Sequence, residues 1–139
     1  MNLRFALLLV FLLAIWTSPS PSQTPSAALV MNSETARWTH APNDPSGSES
    51  VVLREDPLEL LARYPAGHVF KPHWHESNER ILLIEGRLSL GGGKVLDPGG
   101  YAFLPAREVQ NMACVSKTRC TFYVSWDGNP ASRAPAGDK

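Results

Sequence analysis

From Val51 onward the chain alternates short apolar or alternating runs with clusters of turn formers. The runs are Val51 to Leu53, Leu58 to Tyr64, Arg80 to Glu85, Arg87 to Leu90, Tyr101 to Leu104 and Cys120 to Trp126. Most of them stop at a turn signal: Tyr64-Pro65-Ala66-Gly67, Glu85-Gly86, Gly91-Gly92-Gly93 or Asp97-Pro98-Gly99-Gly100. Runs this short, bounded this way, predict strands. A helix could open only at Asp56-Pro57, with Asp56 as N-cap and Pro57 in the first turn, but Pro65 and Gly67 close the segment so soon that a turn into a strand is the better reading. Regularly spaced short strands in so small a unit point to an all-β sandwich or barrel.

Ile81-Leu82-Leu83-Ile84 is apolar at every position, so both faces of that strand should be covered, either by a second sheet of the chain or by a second subunit. A homodimer is the expectation for a unit this small. Parity turns Glu79, Ile81 and Leu83 inward. Tyr101 and Phe103 share one face, Phe122, Val124 and Trp126 another, and both sets read as core.

The first residues follow a different pattern. One positive charge, Arg4, precedes twelve uninterrupted apolar residues from Phe5 to Trp16, and a polar, Pro-rich stretch follows. A membrane span needs about 20 apolar residues, so this reads as a secretory signal peptide over residues 1–28; an uncleaved tether is the alternative. Ser26 and Ala28 suit cleavage after Ala28, and Ser20 with Ser22 offers a second site. Residues 29–49 read as a linker and N-terminal arm, 50–127 as the barrel, and 128–139 as a disordered tail with turn formers and no apolar period. The expected location is periplasmic or extracellular, with no stable membrane association after cleavage.

The length of 139 residues allows one domain. Thirteen basic residues balance thirteen acidic ones, so nothing in the charge favours nucleic acid or an anionic membrane as partner. Cys114 and Cys120 flank Val115 to Arg119, which reads as a hairpin turn that would bring the two thiols within reach of a disulfide. Export favours that bridge over a metal or catalytic role.

Three of the four histidines, His68, His73 and His75, lie within eight residues. On a strand His73 and His75 project from one face, and Glu79 at the head of the next strand can add a carboxylate oxygen to the same point. Two imidazoles and a carboxylate are the ligand set of many open metal sites. His68 has the opposite parity and reads as a rim residue, and Trp74 as packing on the far face.

Gly67, five residues, His73-x-His75, three residues, Glu79, six residues, Gly86 reproduces the pattern G(x)5HxH(x)3E(x)6G without a gap. The chain therefore resembles the cupin family, here a small single-domain bacterial cupin, over residues 50 to 126. The family's second motif is matched in part, with Gly99 and Pro105 in place, Arg107 where a glycine is usual, Gln110 at the position of the third histidine and Cys114 at that of an asparagine. The resemblance implies a cupin-type β-barrel, or double-stranded jelly roll, holding one divalent transition metal (Fe, Mn, Zn, Ni or Cu) through His73, His75 and Glu79. Gln110 would be a weak fourth partner, an orienting group for a bound water, or the mark of a lost ligand. The implied function is a metal-dependent oxidoreductase of dioxygenase type on a small molecule. The alternatives are a cupin isomerase or lyase and a non-catalytic metal or small-ligand binding module.

Overall fold

A computed structural model describes residues 28–40 and 46–137, so the expected leader lies outside the described residues except for Ala28. The described chain is all-β. Its strands are β1 (Thr39–His40), β2 (Glu49–Glu55), β3 (Leu58–Tyr64), β4 (Trp74–His75), β5 (Glu79–Glu85), β6 (Leu88–Gly91), β7 (Lys94–Leu96), β8 (Tyr101–Leu104), β9 (Ala113–Cys114), β10 (Cys120–Trp126) and β11 (Ser132–Arg133). A six-stranded sheet in the order β1-β2-β3-β10-β5-β8 forms one wall. The other is built from β7-β6-β9, the pair β11-β4, and the antiparallel bridges Val69–Ala113 and His73–Gln110 that join residues 67–75 to 107–114. Two such layers closing on one interior make a jelly-roll cup.

The runs of alternating residues fold as their parity requires. On β5, Glu79, Ile81 and Leu83 are buried, and the two aliphatic side chains join Phe122 and Val124 of β10 and Leu88 of β6 in the core. Burying an aliphatic side chain of this size contributes about 2 kcal/mol each. Of the two covers expected for the opposite face of β5, the described chain itself supplies none: Leu82 and Ile84 are 41% and 42% exposed. Tyr101 and Phe103, expected in the core, are exposed beside them. The reason is register: Ala102 stands opposite the inward Ile81, so Tyr101 and Phe103 on either side of it point to the outer face with Leu82.

Two terminal segments are more structured than their composition indicates. Within the expected arm, β1 pairs with β2 (Thr39 opposite Ser50), and the Arg63 guanidinium lies 4.1 Å over the Trp38 ring. Residues 128–137, read as a disordered tail, include β11, whose Ser132 and Arg133 pair with His75 and Trp74. Backbone pairing needs no apolar period, so composition could not reveal it.

Cys114 and Cys120 are joined in a disulfide with Cα atoms 5.7 Å apart. They do not face each other in a hairpin. Cys114 pairs with Leu88 in the three-stranded sheet and Cys120 with Tyr64 in the six-stranded one, so the bridge staples the two walls together. Closing so short a loop, a separation of 6 residues, stabilises by about 2 kcal/mol on the chain-entropy account. Replacing both cysteines by alanine is expected to lower the urea midpoint accordingly, and adding reductant to the unaltered protein should reproduce that shift.

Candidate metal centre

His73 and His75 reach the site from the 67–75 segment, which is held in register by paired backbone bonds between His73 and Gln110 and by Arg107 N–H donating to the His75 carbonyl at 2.8 Å. Alternation along this segment puts both imidazoles on the inner side, with ring centroids 5.1 Å apart and planes at 87°. Glu79 enters from β5, and its Oε2 lies 3.6 Å from His75 Nε2. His75, Glu79 and Gln110 are all buried.

Each imidazole is tied at its Nδ1. His73 Nδ1 is 2.8 Å from the Lys71 carbonyl and His75 Nδ1 is 2.8 Å from the Pro130 carbonyl. A carbonyl only accepts, so both Nδ1 atoms carry the proton and each Nε2 keeps its lone pair for a ligand. Gln110 donates its side-chain N–H to Glu79 Oε2 at 2.7 Å. Its Oε1, like Trp126 Nε1, is buried with no hydrogen-bond partner.

Among the described residues no three side chains of His, Cys, Asp or Glu already stand as a group that could hold a metal ion. Glu79 is engaged with Gln110 instead. One spacing still suits a shared ion, because two donor atoms each about 2.1 Å from one metal stand roughly 3.0–3.5 Å apart. The 3.6 Å between His75 Nε2 and Glu79 Oε2 is close to that range. With two Nε2 lone pairs, a carboxylate and an orphaned amide oxygen, the donor set fits a divalent cation.

A cavity of about 260 Å3 opens against His73, His75 and Glu79. Its remaining wall is largely apolar, supplied by Leu60 and Ala62 of β3, Phe122, Val124 and Trp126 of β10, and Met112. Ile81 and Leu83, the expected lining, sit deeper in the core. His68, expected at the rim, packs its ring on Tyr64 and Phe70, with centroids 4.7 and 4.6 Å away, and those two aromatics line the cavity while His68 itself does not. Pro130 and Ser132 also line the cavity. Sequence reasoning missed them because they lie in the segment read as a tail, and a backbone carbonyl has no sequence signature.

Burial pushes the Glu79 carboxyl up from 4.5 to about 6, against the opposing pull of the Gln110 hydrogen bond and the nearby His73. The sign follows from linkage. A carboxyl harder to ionise in the folded state than in the unfolded one costs stability once the unfolded chain ionises, from pH 4.5 upward, and the cost is complete above about 6. The metal-free protein is therefore expected to lose about 2 kcal/mol across that interval relative to Glu79→Gln, at about 1.4 kcal/mol per pH unit. Urea titrations of the two proteins at pH 4 and pH 7 check it.

An inner-walled jelly roll with a histidine pair and a glutamate at its mouth is a cupin. More narrowly, residues 26–127 match the ChrR cupin-like domain, and the chain belongs to that family. Over 90 residues it is 32% identical to the DNA damage-repair/toleration protein DRT102 of Arabidopsis thaliana; the match takes in 61% of this chain and only 28% of that much longer relative. Among solved structures, the polyketide cyclase RemF of Streptomyces resistomycificus superposes with a TM-score of 0.63 at 19% identity, over 78% of this chain and 85% of that one. The anti-sigma factor ChrR of Rhodobacter sphaeroides, solved in complex with SigE, gives 0.60 at 16% identity over 69% and 52%. A putative acetylacetone dioxygenase of Methylibium petroleiphilum gives 0.60 at 17% identity over 75% and 79%. At these identities the likeness establishes the fold.

Proposed function

We propose that this cupin binds one divalent transition metal through the Nε2 atoms of His73 and His75 and the Glu79 carboxylate, and acts on a small oxygen-bearing molecule as an oxidoreductase of dioxygenase type. The observation that carries the reading is that each imidazole has its Nδ1 2.8 Å from a backbone carbonyl, an arrangement that leaves Nε2 for a ligand. When bound, the ion supplies Lewis acidity, and redox chemistry if it is iron or manganese. Gln110 orients Glu79 through its amide N–H. The apolar wall of β3 and β10 excludes water and leaves a substrate few polar contacts, so shape and the metal-facing oxygen decide what fits.

A second reading, a non-catalytic module that binds a metal or small ligand, is favoured by the amide at position 110, a poorer ligand than imidazole that is committed to Glu79. The anti-sigma neighbour, solved in complex with a sigma factor, lends support to a non-catalytic reading. Metal analysis of the purified protein, followed by oxygen uptake on phenolic, thiol and diketone substrates, separates the two. Bound metal with turnover supports the enzyme, and bound metal without turnover supports the module. Failure to take up any divalent ion, with an unchanged melting temperature when ions are added, overturns the enzyme and the metal-binding module together.

We also propose export to the periplasm or beyond, supported by Arg4 before the Phe5 to Trp16 run and by the Cys114–Cys120 bridge. A homodimer is supported by the exposed row of Leu82, Ile84, Tyr101 and Phe103 on the outer face of the large sheet.

A further inference from the structure

We infer that residues 127–133 form a strap that positions the metal ligand His75, an inference that rests on the metal-binding reading above. After Trp126 the chain turns back across the segment that bears the ligands. Asp127 N–H donates to the Asn78 carbonyl at 3.1 Å, and the Asn78 amide donates to Asp127 at 2.9 Å. Ser77 Oγ donates to the Asn129 carbonyl at 2.8 Å, and Arg133 Nε donates to Glu76 at 2.7 Å. Ser132 is paired with His75 itself. In the middle of this set the Pro130 carbonyl accepts the His75 Nδ1 proton.

The two imidazoles are thus held differently. His73 is oriented by Lys71, two residues away on its own segment, whereas the partner of His75 is 55 residues away on the strap. With that carbonyl in place, His75 Nε2 is the unprotonated nitrogen and lies on the Glu79 side of the ring. Without it, the ring is free to rotate or to carry its proton on Nε2, where a metal cannot use it. The strap also supplies part of the cavity wall through Pro130 and Ser132. It is a positioning element, because it would touch the ion only through His75.

The test uses two variants: a chain ending at Asn129, and a full-length Ser77→Ala/Arg133→Ala chain that removes two anchors and leaves the site residues in place. Imidazole nitrogen NMR on the metal-free proteins should show His73 and His75 both protonated at Nδ1 in the unaltered chain. In the variants His73 keeps this form, while His75 loses it fully in the shortened chain and partly in the double variant. Calorimetric titration with Zn(II) should show affinity falling about 10- to 100-fold in the shortened chain, the range for losing a group that orients a ligand. Should the shortened chain fail to fold, the double variant carries the same readouts. His75 retaining the Nδ1-protonated form in both variants would overturn the strap. If His75 shifts but no protein binds Zn(II), the strap stands and the metal reading falls; if Zn(II) binds equally to all three, the reverse holds.

Discussion

His73→Ala is expected to weaken binding of a divalent ion by at least about 100-fold, more than the loss of an orienting group would cost, and Gln110→His is expected to strengthen it. His73 approaches the cavity with its Nδ1 already committed to Lys71, so the alanine removes a donor nitrogen that nothing nearby can replace. At position 110 the backbone is pinned to His73 by two hydrogen bonds and the side chain already reaches Glu79. An imidazole placed there adds a third nitrogen, a better donor than an amide oxygen. Titration calorimetry with Zn(II) and Mn(II) measures both. Weaker binding in Gln110→His would show that the amide matters through its grip on Glu79 rather than as a ligand.

Gly86→Ala is expected to destabilise by about 4 kcal/mol, while Gly67→Ala costs about 1–2 kcal/mol, although both glycines end the same sequence motif. Both have positive φ, +86° and +76°, so each alanine meets the left-handed penalty. The difference lies in the surroundings. A Cβ on Gly86 would stand 2.5 Å from the Arg119 carbonyl oxygen and 3.0 Å from the Cys120 Cα, whereas one on Gly67 meets nothing within 4 Å. The Ser116 hydroxyl, 2.9 Å away, could rotate, but the other two crowded atoms are backbone at the disulfide and cannot move aside cheaply. Against a total stability of about 5–15 kcal/mol, the Gly86 change removes a large share. Urea denaturation of the two variants is the comparison, and equal losses would refute the steric account.

The strands legible in the sequence were those long enough to show a period and closed by turn formers. Leu58–Tyr64, Tyr101–Leu104 and Cys120–Trp126 have the bounds read from the pattern. Two-residue strands such as Ala113–Cys114 and Ser132–Arg133 carry no period, and they exist because a neighbour offers backbone partners. The same limit applied at the site. Spacing brought His73, His75 and Glu79 together and the cupin resemblance added Gln110, but neither could say which end of the Gln110 amide meets Glu79, nor that residue 130 would hold His75. Nor does alternation within Tyr101–Leu104 reveal which of its two faces is inner; the pairing of Ala102 with Ile81 decides that, and it turns Tyr101 and Phe103 outward.

The link between Cys114 and Cys120 also governs how this molecule opens. With the walls tied at this bridge, a transient fluctuation separates first the strands that have a free edge, and in the three-stranded sheet that is Lys94–Leu96, paired on one side only. Amide protons beside the tie should then be the last to exchange with deuterated solvent, and those of the Lys94–Leu96 hairpin among the first.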